Sequence, residues 1–217
     1  MKQRLIVEGK DAIVLSVICS KHMPPPKGYA NPKVYEKSFV EEAGSYERAL
    51  TLFKNSLSDT SIENLGIIVD ANQVGAAARW QSLKKILDGF FPEKILNAAS
   101  LSPNGILLNG ENLPTVGVWI MPDNQSKGYL EHFLAALIHE DDTLWNHAQT
   151  TVDELMEKDF CKFKEVQKQK ALVHTWLAWQ KKPGLPFGTA ADAGYFNVNS
   201  AAVEPFLNWF KKTFELS

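Results

Sequence analysis

The run "NLGIIVDAN", residues 64–72, constrains the fold more than any other part of the chain. Leu65, Ile67, Ile68 and Val69 follow one another almost without a break, and no alternation marks a wet face. A strand apolar on both sides must be covered on both faces, which is the condition inside a parallel sheet with helices above and below it. Shorter runs of the same kind, "RLIV" at 4–7, "GILLNG" at 105–110 and "TVGVWIMP" at 115–122, read as further strands, and "VYEKSFVEE" at 34–42 alternates enough to be another. Helices are expected over 11–22, 45–57, 77–91 and 128–140, with "MPPPKGYANPK" a loop dense in Pro and Gly. Strands alternating with helices predict an α/β layer fold with a mostly parallel sheet flanked by helices. From residue 141 the pattern changes: helices are expected over 143–159, 163–182 and 200–215, with "PGLPFGTAADAGYF" a loop. The expected organisation is a sheet domain over 1–140 and a helical C-terminal extension, 141–217, packed on it.

A formal net charge of -2 over 217 residues argues against a protein that coats nucleic acid, which shows a basic excess. It leaves room for an enzyme acting on nucleic acid, because metal ions offset acidic residues locally. Two cysteines, Cys19 and Cys161, make no disulfide framework and no CxxC; Cys19, within "AIVLSVICS", reads as core. "MKQRLIVEG" reaches Glu8 too soon for a secretory leader, and no apolar run approaches the roughly 18 residues of a membrane span. A cytoplasmic protein with no membrane partner is expected. His132 and His139 fall in no zinc spacing, Trp176 and Trp179 read as core, and GxxxxGK[ST] is absent, so no ATPase activity is expected.

Three aliphatic runs end alike: "LIVEG" at Glu8, "GIIVDAN" at Asp70 and "GVWIMPDN" at Asp123. In an open parallel sheet the carboxyl ends of the strands share one edge, and ligands bind in the crevice outside it. Each acid alone has an ordinary reading: Glu8 opens a helix, and Asp123 is a turn residue after Pro122. Together they make a cluster in which each carboxylate raises the pKa of the others unless a cation neutralises it. All-oxygen ligands favour Mg2+ or Mn2+. Asp70 and Asn72 are two apart and point the same way in an extended segment. Glu131, eight residues after Asp123, is either a solvated helix residue or reaches back to the same crevice.

"LIVEGKDA" followed by "GIIVDAN" resembles the TOPRIM domain of topoisomerases, primases, OLD-type nucleases and RNA maturases, whose motifs are a glutamate after the first strand and an aspartate pair after a later one. "GVWIMPDNQSKGYLEHFL" is similar to a family of small TOPRIM-like proteins with a WxMPDN stretch before an LE-containing helix. The resemblance covers roughly the first 140 residues and extends to "HTWLAWQKKPGLPFGTA". It implies a TOPRIM-like, Rossmann-like fold and metal-dependent hydrolysis of phosphodiesters in DNA or RNA. Asp70 and Asp123 would be primary ligands of Mg2+ or Mn2+, with Asn72 and Glu131 supporting. Glu8 would bind metal or act as general acid or base. Lys10, at a helix start, would meet a phosphate. OLD-type nucleases also bring a C-terminal lysine to the metals; Lys170 is the candidate, beside the ordinary reading of a solvated lysine-rich face. Asn72 departs from the usual Asp and weakens one metal position. A separate ATPase partner in a defence system, and a homodimer, fit the same resemblance. The alternatives are a non-catalytic module binding nucleic acid or a partner, and a primase-type nucleotidyl transferase.

Overall fold

In the computed structural model, which describes residues 2–10, 12–24 and 39–216, the aliphatic runs form one five-stranded sheet. Its strands are β1 (Lys2–Val7), β2 (Val40–Glu42), β3 (Ile62–Asp70), β4 (Ile106–Leu108) and β5 (Thr115–Met121), in the spatial order β2-β1-β3-β5-β4. Four strands are parallel, and β4 closes one edge antiparallel to β5. β3 lies in the middle, as its unbroken aliphatic run requires. The strand expected over 34–42 is realised at 40–42; its residues 34–38, most of the Pro-rich loop and Asp11 lie outside the described residues.

The pleat divides the apolar run between two layers. Ile6, Leu65, Ile67, Val69, Val118 and Ile120 pack under α2 (Tyr46–Leu57), α3 (Ala76–Leu87) and α4 (Glu93–Ala98). α2 starts where the Ser45 hydroxyl accepts the Arg48 N–H at 3.3 Å, and it buries Ala49, Phe53 and Leu57, four residues apart. α4, six residues long, is too short to show a helical period in sequence.

On the other face Leu5, Val7, Ile68, Trp119 and Met121 meet α1 (Ala12–Ser20), α5 (Leu130–Ala135), α6 (Thr143–Met156), α7 (Lys168–Ala178), α8 (Phe187–Asp192) and α9 (Glu204–Phe214). α8 corrects the expected loop over 183–196. It buries Gly188, Ala190 and Ala191, residues too small to announce an apolar face, and a Cβ on Gly188 would strike Ile13 of α1. Cys19 is buried here and free, and burial pushes its thiol pKa up.

α9 lies on the sheet over two glycines. Gly66 and Gly117 are register partners in β3 and β5. A Cβ on Gly117 would lie 2.6 Å from Thr213 Cγ2, and one on Gly66 2.8 Å from Phe214 Cζ. The buried amides of Gln3 and Asn64 donate to the Phe214 and Thr213 carbonyls at 3.2 and 3.1 Å, satisfying acceptors that a helix end leaves open. Among the described residues no helix is long and apolar enough to cross a membrane.

Candidate functional site

The parallel strands β1, β3 and β5 bring the residues after Val7, Val69 and Met121 to one edge. The β1–β3 ladder ends there in an unusual rung. The Glu8 N–H still donates to the Ile68 carbonyl at 3.0 Å, but the Glu8 carbonyl accepts from Gly44 at 2.8 Å on the β2 side. The Asp70 N–H is instead taken by the Glu8 carboxylate, at 3.0 Å to Oε2. Burial pushes the Glu8 pKa above the ordinary carboxylate range, although the Asp70 N–H and the Arg79 charge oppose the rise; Glu47 adds to it. Arg79 lies on the Tyr46 ring, 3.6 Å from its centroid, and donates from Nε to the Asp70 carbonyl at 2.9 Å.

Asp70 and Asn72 line a cleft of about 240 Å³ together with Tyr129, Glu131, Gln167 and Lys170. Glu131 is buried, and its Oε1 pairs with Lys170 Nζ at 2.9 Å. Of the residues singled out in sequence, Asp70, Asn72, Glu131 and Lys170 therefore share one cavity. Lys10 is exposed in the bend after β1. Asp123 is exposed, and its carboxylate is engaged in its own turn: Oδ1 accepts the Gln125 and Ser126 N–H groups at 2.9 and 2.7 Å, and Oδ2 accepts the Ser126 hydroxyl at 2.7 Å. Partial burial acts to raise the Asp123 pKa, but these bonds outweigh it and hold the carboxyl below its ordinary range. Among the described residues no group of three or more His, Cys, Asp or Glu side chains is gathered closely enough to hold a metal ion.

The backbone explains how the end of β3 meets α5. Asn72 has φ 50°, in the left-handed region that Asn tolerates better than most residues. Its N–H donates to the Gly128 carbonyl at 2.6 Å, and the Gly128 N–H donates back at 3.1 Å. This reciprocal pair of hydrogen bonds fixes the turn beside Tyr129 and Glu131. Asn124, fully buried, accepts the Ile120 N–H at 2.7 Å through Oδ1 and sets the exit from β5.

Tyr129, which no sequence motif marks, stands two residues before Glu131. Its hydroxyl donates to the Val166 carbonyl at 2.8 Å, and Lys170 Nζ lies 5.9 Å from its ring centroid. Burial, then the Glu131 charge, push the phenol pKa up; the Asp70 charge adds to the rise and Lys170 opposes it. Beyond Tyr129 and Val166 opens a wider groove of about 910 Å³ between α6 and α7, bordered by His132 and by Gln73 of the β3 turn. Burial lowers the His132 pKa against the pull of Glu131 and Asp123, and its Nδ1 accepts the Tyr129 N–H at 3.3 Å.

A family model described as a protein of unknown function (DUF3226) matches residues 2–215. The chain belongs to DUF3226. The match spans every element from β1 to α9, so the cleft and the groove both lie within the DUF3226 fold. No curated protein and no solved structure matches the chain.

Proposed function

We propose that this DUF3226 chain is a divalent-metal-dependent nuclease with a TOPRIM-like site, hydrolysing phosphodiester bonds of DNA or RNA at the cleft of Asp70, Asn72, Glu131 and Lys170. The observation that carries the reading is the meeting, at the carboxyl edge of a parallel sheet, of two carboxylates, an amide and a lysine from three separate segments. That edge is where open α/β sheets bind ligands.

The donor set fits a hard cation in one respect and not in another. Two carboxylates and an amide oxygen around an open cleft suit Mg2+ or Mn2+, which keep water and take further ligands from substrate phosphates. They do not make a closed protein cage. Asp70, Glu131 and Asn72 would hold the ion, which when bound supplies Lewis-acid polarisation and a water of lowered pKa. Lys170 holds Glu131 and adds positive charge at the mouth of the cleft, where a phosphate is attracted. Glu8 does not line the cleft; its carboxylate accepts the Asp70 N–H and so fixes the strand end that carries Asp70. Asp123 shapes the turn that leads to α5, and Lys10 stands at the same edge for a second phosphate. A separate ATPase partner belongs to the same proposal, by resemblance alone.

A second reading, a binding module without catalysis, is favoured by two observations: Glu131 is already paired with Lys170, and Asn72 serves a left-handed turn. The experiment is a cleavage assay on plasmid DNA and on structured RNA with Mg2+ or Mn2+, comparing the parent with Asp70→Ala and Glu131→Gln. The nuclease reading expects cleavage by the parent and a loss of about 100-fold or more in each variant, the scale of removing one electrostatic group from a transition state. No cleavage with either metal, or variants that cut as well as the parent, leaves the binding module.

A further inference from the structure

We infer that the groove beyond Tyr129 binds the base of an unpaired nucleotide while its phosphate lies in the cleft of Asp70 and Lys170. The substrate class rests on the nuclease reading; the character of the groove does not.

Contiguity is the first ground. Tyr129 and Val166 line both cavities, and the turn after β3 sends Asp70 and Asn72 into the cleft and Gln73 into the groove. The two cavities are neighbours on either side of the Tyr129–Val166 hydrogen bond, and a nucleotide that fills both spans that bridge. Size is the second: at about 910 Å³ the groove falls within the range of small-molecule sites, roughly 300–1,000 Å³.

The third ground is lining chemistry. Gln73, Asn146, Gln149 and Gln169 each offer a carboxamide, with donors and an acceptor on one planar group. Base edges present the same paired pattern, and amide side chains read them two bonds at a time. The rings of Tyr129 and His132, packed nearly at right angles with centroids 4.5 Å apart, add an aromatic wall of the kind against which unpaired bases pack.

Charge is the fourth ground and excludes the main rival. Lys168 is engaged by Asp153 at 2.6 Å, and Glu165 adds a negative charge to the lining. A track for several phosphates needs a clear positive excess, which this groove lacks. Its lining suits an uncharged, hydrogen-bonding group, and the lysine suited to the phosphate, Lys170, stands in the neighbouring cleft. A base stacked in a duplex is out of reach of such a groove, so the nucleotide must be unpaired.

The test measures binding of three labelled 12-residue DNA probes: a single strand, an abasic strand of equal charge, and a duplex. Ca2+, another oxygen-seeking cation, replaces Mg2+. The single strand is expected to bind at least about tenfold tighter than the abasic strand, the scale of one bidentate base contact. The double variant Asn146→Ala/Gln149→Ala, at two exposed positions of α6, is expected to erase that preference while leaving abasic binding and thermal unfolding unchanged. Equal binding of the abasic strand, preference for the duplex, or a double variant that keeps the full preference overturns the inference. Base preference without cleavage in the assay above sinks the nuclease reading and leaves the groove standing. Cleavage without base preference does the reverse.

Discussion

Replacing Lys170 with Met tests whether the cleft depends on its internal ion pair. Met keeps most of the length and the apolar stem and removes the charge. The two ends of the pair differ in environment: the Glu131 side chain is 7% exposed and the Lys170 side chain 56%, with Nζ 2.9 Å from Oε1. Removing one partner of a fully buried pair costs about 3–5 kcal/mol, because a charge is left uncompensated. A fully exposed pair contributes about 0–1 kcal/mol. Water reaches Lys170 and screens the pair, so the expected loss is about 1–2 kcal/mol, between those limits. For a chain of this size that lowers Tm by about 2–8 °C. Glu131→Gln removes the buried charge and keeps an acceptor. The double variant Lys170→Met/Glu131→Gln should therefore be more stable than Lys170→Met alone, with a coupling of about 1 kcal/mol. Urea unfolding of the four chains at pH 7 reads all these values. A Lys170→Met chain as stable as the parent, or strictly additive single losses, refutes the reasoning. Both readings of the function would then have to place Lys170 on a ligand instead of on Glu131.

Three further outcomes are expected. Gly117→Ala puts a Cβ 2.6 Å from Thr213 Cγ2 and 2.9 Å from Thr213 Cβ, so α9 must lift; overpacking predicts a loss of about 1–3 kcal/mol in urea unfolding, recovered in part by Thr213→Ala. Glu8→Gln retains an acceptor for the Asp70 N–H and removes a carboxylate whose folded pKa lies above its ordinary 4.5. Its burial cost is absent below the unfolded pKa and appears as pH rises through the folded one, so the variant is more stable than the parent at pH 7, and thermal melts show the gain vanishing near pH 4. Asp123→Ala breaks three bonds of an exposed turn and should cost about 1 kcal/mol, on the scale of net hydrogen-bond contributions. Because the folded Asp123 pKa is depressed, that stabilisation is present above the unfolded pKa and lost as pH falls through the folded one, so parent and variant converge in acid.

The strands were legible because aliphatic runs ended by Gly, Pro or acids have few other uses, and the stretch 65–69, a run without alternation, is buried on both faces of the sheet as that pattern requires. The same property hid the site. In "LIV" and "GIIV" every position is apolar, so the pleat leaves no sign of which face the following acid takes. Register decides it. Val7 pairs with Ile68, and the ladder stops one residue later. Glu8 then follows Ile6 toward α2 and α3, where Glu47 and Arg79 act on it, whereas Asp70 follows Ile68 toward α5 and α7. Strand-end position made the acids candidates; only the alternation of faces sorts them, and it gives Asp70 the company of Glu131 and Lys170.

Asn72 carries the same lesson at the level of one backbone. Read from the chain, it is an amide where an acid is usual, and so a weakened ligand. In the fold it has a positive φ and exchanges two backbone bonds with Gly128, the residue before Tyr129. Asn and Asp are the non-glycine residues best suited to that conformation, so the turn alone is satisfied by either. The turn geometry therefore accounts for the class of residue at position 72 and not for the choice within it. That choice falls to the cleft, where an amide beside Asp70 and Glu131 leaves two carboxylates facing one lysine instead of three, and so lowers the repulsion the fold must hold when no cation is bound.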